Sequence, residues 1–248
     1  MSTSKSSLTY DPLNVLKPVA ADVWIADGPT IRFGPPGLRI PFPTRMTVVR
    51  LKDGGVFIHS PTMLEAKLRS DVERLGTPRY LVAPNRLHYW WIPDWQSAFP
   101  DARIFLAPKV AKQAAGRLNF AYTTMDKDSG YPWDAEIATL LIAGSYMTEA
   151  AFFHRATCTL VLTDLIENFE TSRINSSLMR LLTWIGGVRD PHGSMPRDMR
   201  MTFPRQKLRS AVQQMIDWDP ERIIIAHGRW YDRNGRAELI RAFQWLWR

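Results

Sequence analysis

Short apolar runs alternate with helix-period stripes along this chain, and several of the runs lead into a histidine or an aspartate. That alternation constrains the fold more than any other feature. Val56-Phe57-Ile58-His59, Leu81-Val82-Ala83, Ile104-Phe105-Leu106, Leu160-Val161-Leu162 and Ile223-Ile224-Ile225-Ala226 are too short for buried helices, and turn residues bound them, so they predict strands. Residues 139–142 and 150–154 read the same way. Residues 22–26 read as a short strand closed by Asp27-Gly28-Pro29, and residues 34–43, with four prolines and two glycines, as a loop. Lys52-Asp53-Gly54-Gly55 between two strand-like runs predicts a hairpin, because Asp-Gly supplies the positive φ that its turn requires.

Helices fall between the strands. Ser60 is a good N-cap, Pro61 suits a first turn, and Leu64, Leu68, Val72 and Leu75 make one stripe that Gly76 stops. Further helices are expected from about Pro93 and over 109–117. Residues 176–185 carry Leu178, Leu181, Leu182 and Ile185 on one face. Residues 205–218 carry Leu208, Val212, Met215 and Ile216, and residues 235–247 form a last helix. Hairpins mixed with strand–helix alternation imply sheets covered by helices, an α/β chain. One domain is expected over 16–248, after a polar lead over 1–15.

Composition narrows the class. The 248 residues are 45% hydrophobic and 23% charged, which excludes a disordered chain. One cysteine, Cys158, excludes a disulfide framework and a cysteine-based zinc finger. The N-terminus carries no apolar core of a secretory signal, and no run approaches the roughly 20 apolar residues of a membrane span. A cytoplasmic protein is expected. Thirty-two Lys and Arg against 24 Asp and Glu give a net charge of +8, which favours anionic partners. The basic residues are spread out, however, and the densest stretch, Arg189 to Arg209, lacks the interleaved aromatics of a nucleic-acid platform. Nucleic acid is therefore not the expected partner.

The chemistry-bearing residues are few. There is no Gly-rich phosphate loop, no Gly-x-Ser-x-Gly elbow and no His-Glu-x-x-His. Among five histidines, His88, His154 and His227 follow strand-like runs, and so does Asp164. In sheet-based α/β folds, ligand sites gather at the carboxyl ends of strands. Three imidazoles and a carboxylate on one rim would suit Zn or Fe. A lone strand-end histidine serves equally well by bonding a loop carbonyl, and Asp164 could cap a turn.

The order of these residues resembles the metallo-β-lactamase-fold superfamily, in a divergent branch of unknown function. Val23-Trp24-Ile25 is similar to the family's opening strand. His59, in Phe57-Ile58-His59-Ser60-Pro61, stands where the family has a structural Asp. Asn85-Arg86-Leu87-His88 falls on its His-x-His-x-Asp-His loop. Arg86 and His88 then take the two leading histidine positions, and Trp90 and Trp91 the Asp-His positions. Phe152-Phe153-His154 resembles the strand that ends in the next metal histidine, Leu162-Thr163-Asp164 the strand before the bridging Asp, and Ile225-Ala226-His227-Gly228 the last ligand turn.

The resemblance implies an αββα sandwich: two packed mixed sheets with helices on both outer faces. It implies a metal set of His88, His154, Asp164 and His227, reduced to one Zn or Fe ion per chain or to none. Three protein ligands would leave an open position for metal-activated water, and a hydrolase of an ester, amide or phosphoester follows. Four ligands would close the site and favour a structural role. The alternative is a degenerate, metal-free member with a binding role, in which Trp90 and Trp91 fill the vacated space. The expected partner is a small-molecule substrate, with no nucleic acid and no membrane. A homo-oligomer stays open, because Trp245 and Trp247 on the final helix could pack inward or dimerise.

Overall fold

Central strands buried on both faces produce two sheets that share an apolar interior. A computed structural model describes residues 8–34 and 39–248. The first part of the chain forms β1 (Lys17–Ala20), β2 (Val23–Phe33), β3 (Ile40–Arg50), β4 (Gly55–His59), α1 (Ala66–Leu75), β5 (Thr77–Ala83), α2 (Ile92–Ala98), β6 (Arg103–Leu106), α3 (Val110–Ala114) and β7 (Thr123–Thr124). Its strands lie in sequence order in one sheet, antiparallel from β1 to β4 and parallel from β4 to β7. The second part forms β8 (Ile137–Ala143), β9 (Thr148–His154), β10 (Thr159–Val161), α4 (Ser177–Gly186), α5 (Arg197–Arg200), α6 (Arg205–Asp217), β11 (Arg222–Ile224) and α7 (Gly235–Phe243). Its sheet has the order β11-β10-β9-β8. β10 and β11 are parallel, and β9 is antiparallel to both β10 and β8.

Alternate residues of β9 look in opposite directions. Ala150 and Phe152 join the core between the sheets, while Ala151 and Phe153 join the core under α6 and α7. Phe57 of β4 meets Phe152 edge-on at 5.3 Å and Trp133 at 5.0 Å, which locks the two sheets face to face. Burying one such ring contributes about 1.5–3 kcal/mol. Leu68 and Val72 of α1 and Ile92 and Trp95 of α2 cover the first sheet, and Leu208, Val212 and Leu239 cover the second. The layers are those of an αββα sandwich. No helix among the described residues is long and apolar enough to cross a membrane.

Four local expectations change. β2 does not stop at Asp27-Gly28-Pro29 but continues to Phe33, and the proline sits at an irregularity in the ladder between Gly28 and Ile31. Of the expected loop over 34–43, residues 40–43 belong to β3, and residues 35–38 lie outside the described residues. Pro41 and Pro43 are tolerated because β4 pairs with β3 only from Thr47 onward, so this end of β3 has an open side. Helix α1 starts at Ala66 rather than after Ser60; Ser60 adopts a left-handed φ of 50° and its hydroxyl is used elsewhere. The apolar stripe of α4 faces outward. Met179 and Thr183 are buried, while Leu178, Leu181 and Ile185 are 47%, 49% and 50% exposed.

Candidate metal centre

Strand direction decides which residues can meet. β5, β10 and β11 all end on one rim. His88 comes five residues after the end of β5, and Asp164 and His227 come three residues after β10 and β11. Backbone bonds hold the rim together. The Leu162 amide donates to the Ile224 carbonyl at 2.9 Å, and the Ala150 amide to the Pro84 carbonyl at 2.8 Å. β9 runs the other way, so it presents its first residues, Thr148 and Glu149, to this rim.

Three of the four expected ligands converge there. His88 Nε2 lies 3.2 Å from Asp164 Oδ2, and His227 Nε2 lies 3.0 Å from Asp164 Oδ1. One donor atom from each of the three residues lies within 4.8 Å of the others, and all three residues are buried. Bonds of ~2.0 Å in a tetrahedral zinc site place ligand atoms roughly 3.3 Å apart, so the set has the donor chemistry and spacing for one ion.

Each of the three side chains is held from behind. His227 Nδ1 lies 2.8 Å from the Pro43 carbonyl, which only accepts, so Nδ1 carries the proton and Nε2 faces Asp164. His88 Nδ1 lies 2.8 Å from the Ser60 hydroxyl, the use to which Ser60 is put instead of capping α1. Asn85 Nδ2 donates to Asp164 Oδ2 at 2.5 Å and to Thr163 Oγ1 at 2.9 Å. The turn after His227 is fixed by Arg45, whose guanidinium donates to the Ile225 carbonyl at 2.6 Å and the Gly228 carbonyl at 2.9 Å, and pairs with Asp27 at 2.7 Å. Gly228 has φ +94°, and a Cβ there would lie 2.1 Å from the Asn168 carbonyl oxygen, so only glycine fits.

His154 stands apart from the cluster. It closes β9 at the far end of the sheet, pairs with Thr159 at the start of β10, and its Nδ1 lies 2.8 Å from Thr157 Oγ1. Five residues of strand separate it from Glu149, about 17 Å at ~3.3 Å per residue. Its placement with the ligands assumed that all strands end on one side, which an antiparallel β9 forbids. Trp95 is fully buried, while Trp90 and Trp91 are only partly so.

Two residues that the sequence reading did not single out belong to the site. Glu149 accepts from the amides of Thr163 and Asp164 at 2.8 and 2.9 Å, fixing the backbone that carries the carboxylate. Burial and the neighbouring Asp164 charge push its pKa up to about 7, against the pull of those two amides. Glu167 is buried beside the cluster, and desolvation pushes it up to about 8. The signal was a glutamate inside each of two apolar segments, Thr148-Glu149-Ala150-Ala151 and Leu165-Ile166-Glu167. Burial alone would raise the Asp164 pKa, but the His88 charge and the hydrogen bonds from His227 and His88 hold it well below the usual carboxylate range. For His227 burial pulls downward, yet the hydrogen bond and charge of Asp164 prevail and its pKa is raised.

The cluster opens into a cavity of ≈ 550 Å³. Phe33 and Phe42 of the β2–β3 hairpin line it together with Leu182 and Val188, and Glu167 lies on its lining with His88, Asp164 and His227. Mostly apolar walls with a few convergent polar groups are the usual form of a small-molecule site.

Solved structures place this architecture among metallo-β-lactamase-fold proteins. The metallo-β-lactamase from Pontibacter korlensis is 12% identical with a TM-score of 0.60, covering 94% of this chain and 98% of that one. FIM-1 from Pseudomonas aeruginosa, in its mono-zinc form, is 10% identical with a TM-score of 0.59, covering 98% and 96%. The metal-soaked Flv1 flavodiiron core from Synechocystis sp. PCC6803 is 12% identical with a TM-score of 0.60, covering 94% of this chain and 60% of that one. At such identities the likeness is one of fold. No curated protein matches the chain by sequence. The chain belongs to the family described as Domain of unknown function (DUF4336), whose model matches residues 37–179.

Proposed function

We propose that this protein is a hydrolase of a small ester, amide or phosphoester, dependent on one Zn or Fe ion held by His88, Asp164 and His227. The observation that carries the reading is the convergence of two imidazole Nε2 atoms on one carboxylate at the wall of an apolar cavity. A bound ion would act as a Lewis acid and bring the pKa of its water to about 7. The protein's own groups would do the rest. Pro43 and Ser60 hold the two imidazoles in position, and Asn85 orients the Asp164 carboxylate. Glu167, buried on the cavity lining beside the cluster, is the group placed to pass a proton to a leaving group. The phenylalanines of the hairpin exclude water and favour a substrate with an apolar substituent.

One observation favours a second reading. Asp164 receives hydrogen bonds from Asn85, from His88 and from His227 as an imidazolium, the form that Asp164 favours by raising its pKa, so the cluster is satisfied without an ion, as in a metal-free binding protein. Metal analysis of protein purified without added metal separates the two. About one Zn or Fe per chain, lost in His227→Ala together with turnover of p-nitrophenyl butyrate or bis-p-nitrophenyl phosphate, supports the hydrolase. A folded protein that takes up no metal even after incubation with Zn²⁺ overturns it and leaves the metal-free reading.

A further inference from the structure

A second concavity, of ≈ 690 Å³, lies between the end of α4, the loop that follows it, α5 and the segment after α7. None of the three clustered residues lines it. Five arginines do, Arg189, Arg197, Arg200, Arg241 and Arg248, against a single carboxylate, Asp190. That carboxylate is already engaged, by the Asn168 amide at 3.0 Å and by Arg229 at 3.8 Å.

Four of the five arginines are held by neutral groups. Arg200 Nε donates to the Met195 carbonyl and Nη2 to the Ser194 hydroxyl, both at 3.1 Å, and its guanidinium lies 4.5 Å from the Trp245 ring centroid. Arg197 Nη1 donates to the Ile185 carbonyl at 3.1 Å. Arg189 donates one Nη2 bond to the Arg180 carbonyl, while its Nε is buried with no partner. Only Arg241 has a carboxylate, Glu238 at 2.8 Å; among the described residues the other four make no ion pair. A guanidinium has five N–H donors, so most of these remain free. Burial first, and then the charge of Arg197, pull the Arg200 pKa down.

We propose that this pocket binds a soluble ligand carrying two or more phosphate groups. Each guanidinium fork matches phosphate oxygens in a bidentate manner, and a multiply charged anion would relieve the repulsion among the four unpaired arginines. The volume is that of a small-molecule site and too large for a single phosphate. Trp184 and Trp245 on the lining add faces on which a ring could stack. This site also gives a role to Arg189 and Arg200 of the basic stretch, which do not line the cavity over the cluster, whereas Arg197 borders both.

The test is calorimetric titration of the full chain at low salt with tripolyphosphate, and with sulfate as the control. Tripolyphosphate should bind once per chain, at least tenfold more tightly than sulfate. Affinity should fall steeply with salt, and Arg197→Gln should weaken it about tenfold or more. Arg197 is exposed, so this variant leaves the core alone, but it borders both cavities; Arg200→Gln, checked by circular dichroism, touches only this pocket and should weaken binding as much. Asp164→Asn should leave the affinity unchanged, which separates this site from the cluster. The proposal is overturned by an absence of binding, by equal affinity for sulfate, by both arginine variants binding like the wild type, or by binding to phosphatidic acid vesicles without binding to free tripolyphosphate.

Discussion

The two ends of the second sheet carry similar residues to different effect. At one end Asp164 and His227 follow parallel strands and meet at 3.0 Å. At the other, His154 closes the antiparallel β9 and bonds a threonine of its own turn. Both histidines end apolar runs, and both are buried. Their difference is the direction of the strand, which a run of apolar residues does not encode. Residues that end strands gather on one rim only where those strands agree in direction; the antiparallel β9 brings its first residues there instead, among them Glu149.

Substitutions at the two ends sharpen that contrast. Asp164→Ala should cost about 3–5 kcal/mol in denaturant unfolding, because it strips the shared acceptor from two buried imidazoles and the Asn85 amide. His154→Ala should cost about 1–2 kcal/mol, the loss of one buried hydrogen bond and some packing, and should leave metal content as in the wild type. Equal costs, or metal lost in His154→Ala, would erase the distinction between the two ends.

A middle-sized effect is expected from His59. It is fully buried, both ring nitrogens lack partners, and its ring packs edge-on against Phe152 at 5.4 Å. Desolvation first, then the charge of His88, lower its pKa to about 3. Because the folded pKa lies below the unfolded value of about 6.5, the unfolded state binds the proton first. Stability is then lost as pH falls below 6.5, by about 2 kcal/mol between pH 7 and pH 5. Denaturation curves at those two pH values test this. His59→Phe should flatten the dependence; an unchanged slope would mean that other groups carry it. The smallest effect belongs to α4. Leu181→Gln should shift the unfolding midpoint by less than about 0.5 kcal/mol, since Leu181 faces solvent. A larger loss would show that the outward stripe of α4 is covered in solution.

Much of this was legible in the sequence. The apolar stripe of α6 is buried as its spacing predicts, and the Asp-Gly turn after Leu51 joins β3 to β4 with Gly54 at φ +78°. His88, Asp164 and His227 were visible because each follows an apolar run by a few residues. Three things were not legible. The direction of β9 depends on its partners, so His154 falls at the far end of the sheet and Glu149 at the site. The path of β2 through Gly28-Pro29 depends on an irregular ladder that turn residues alone do not announce. The outward face of α4 arises because it packs on the small cluster around Phe169 through Met179 and Leu182 rather than through its longest stripe.

The bond from His227 to the Pro43 carbonyl, with Arg45 holding the turn that follows, joins positions 184 and 180 residues apart along the chain. A chain leaving the ribosome can pair β2, β3 and β4 early, because those contacts are near neighbours. The cluster cannot close until residue 228 has emerged and docked. During synthesis Asp164 and His88 would spend their first seconds without the second imidazole, and a nascent chain stalled before that point would carry a folded first sheet and an open, incomplete cluster.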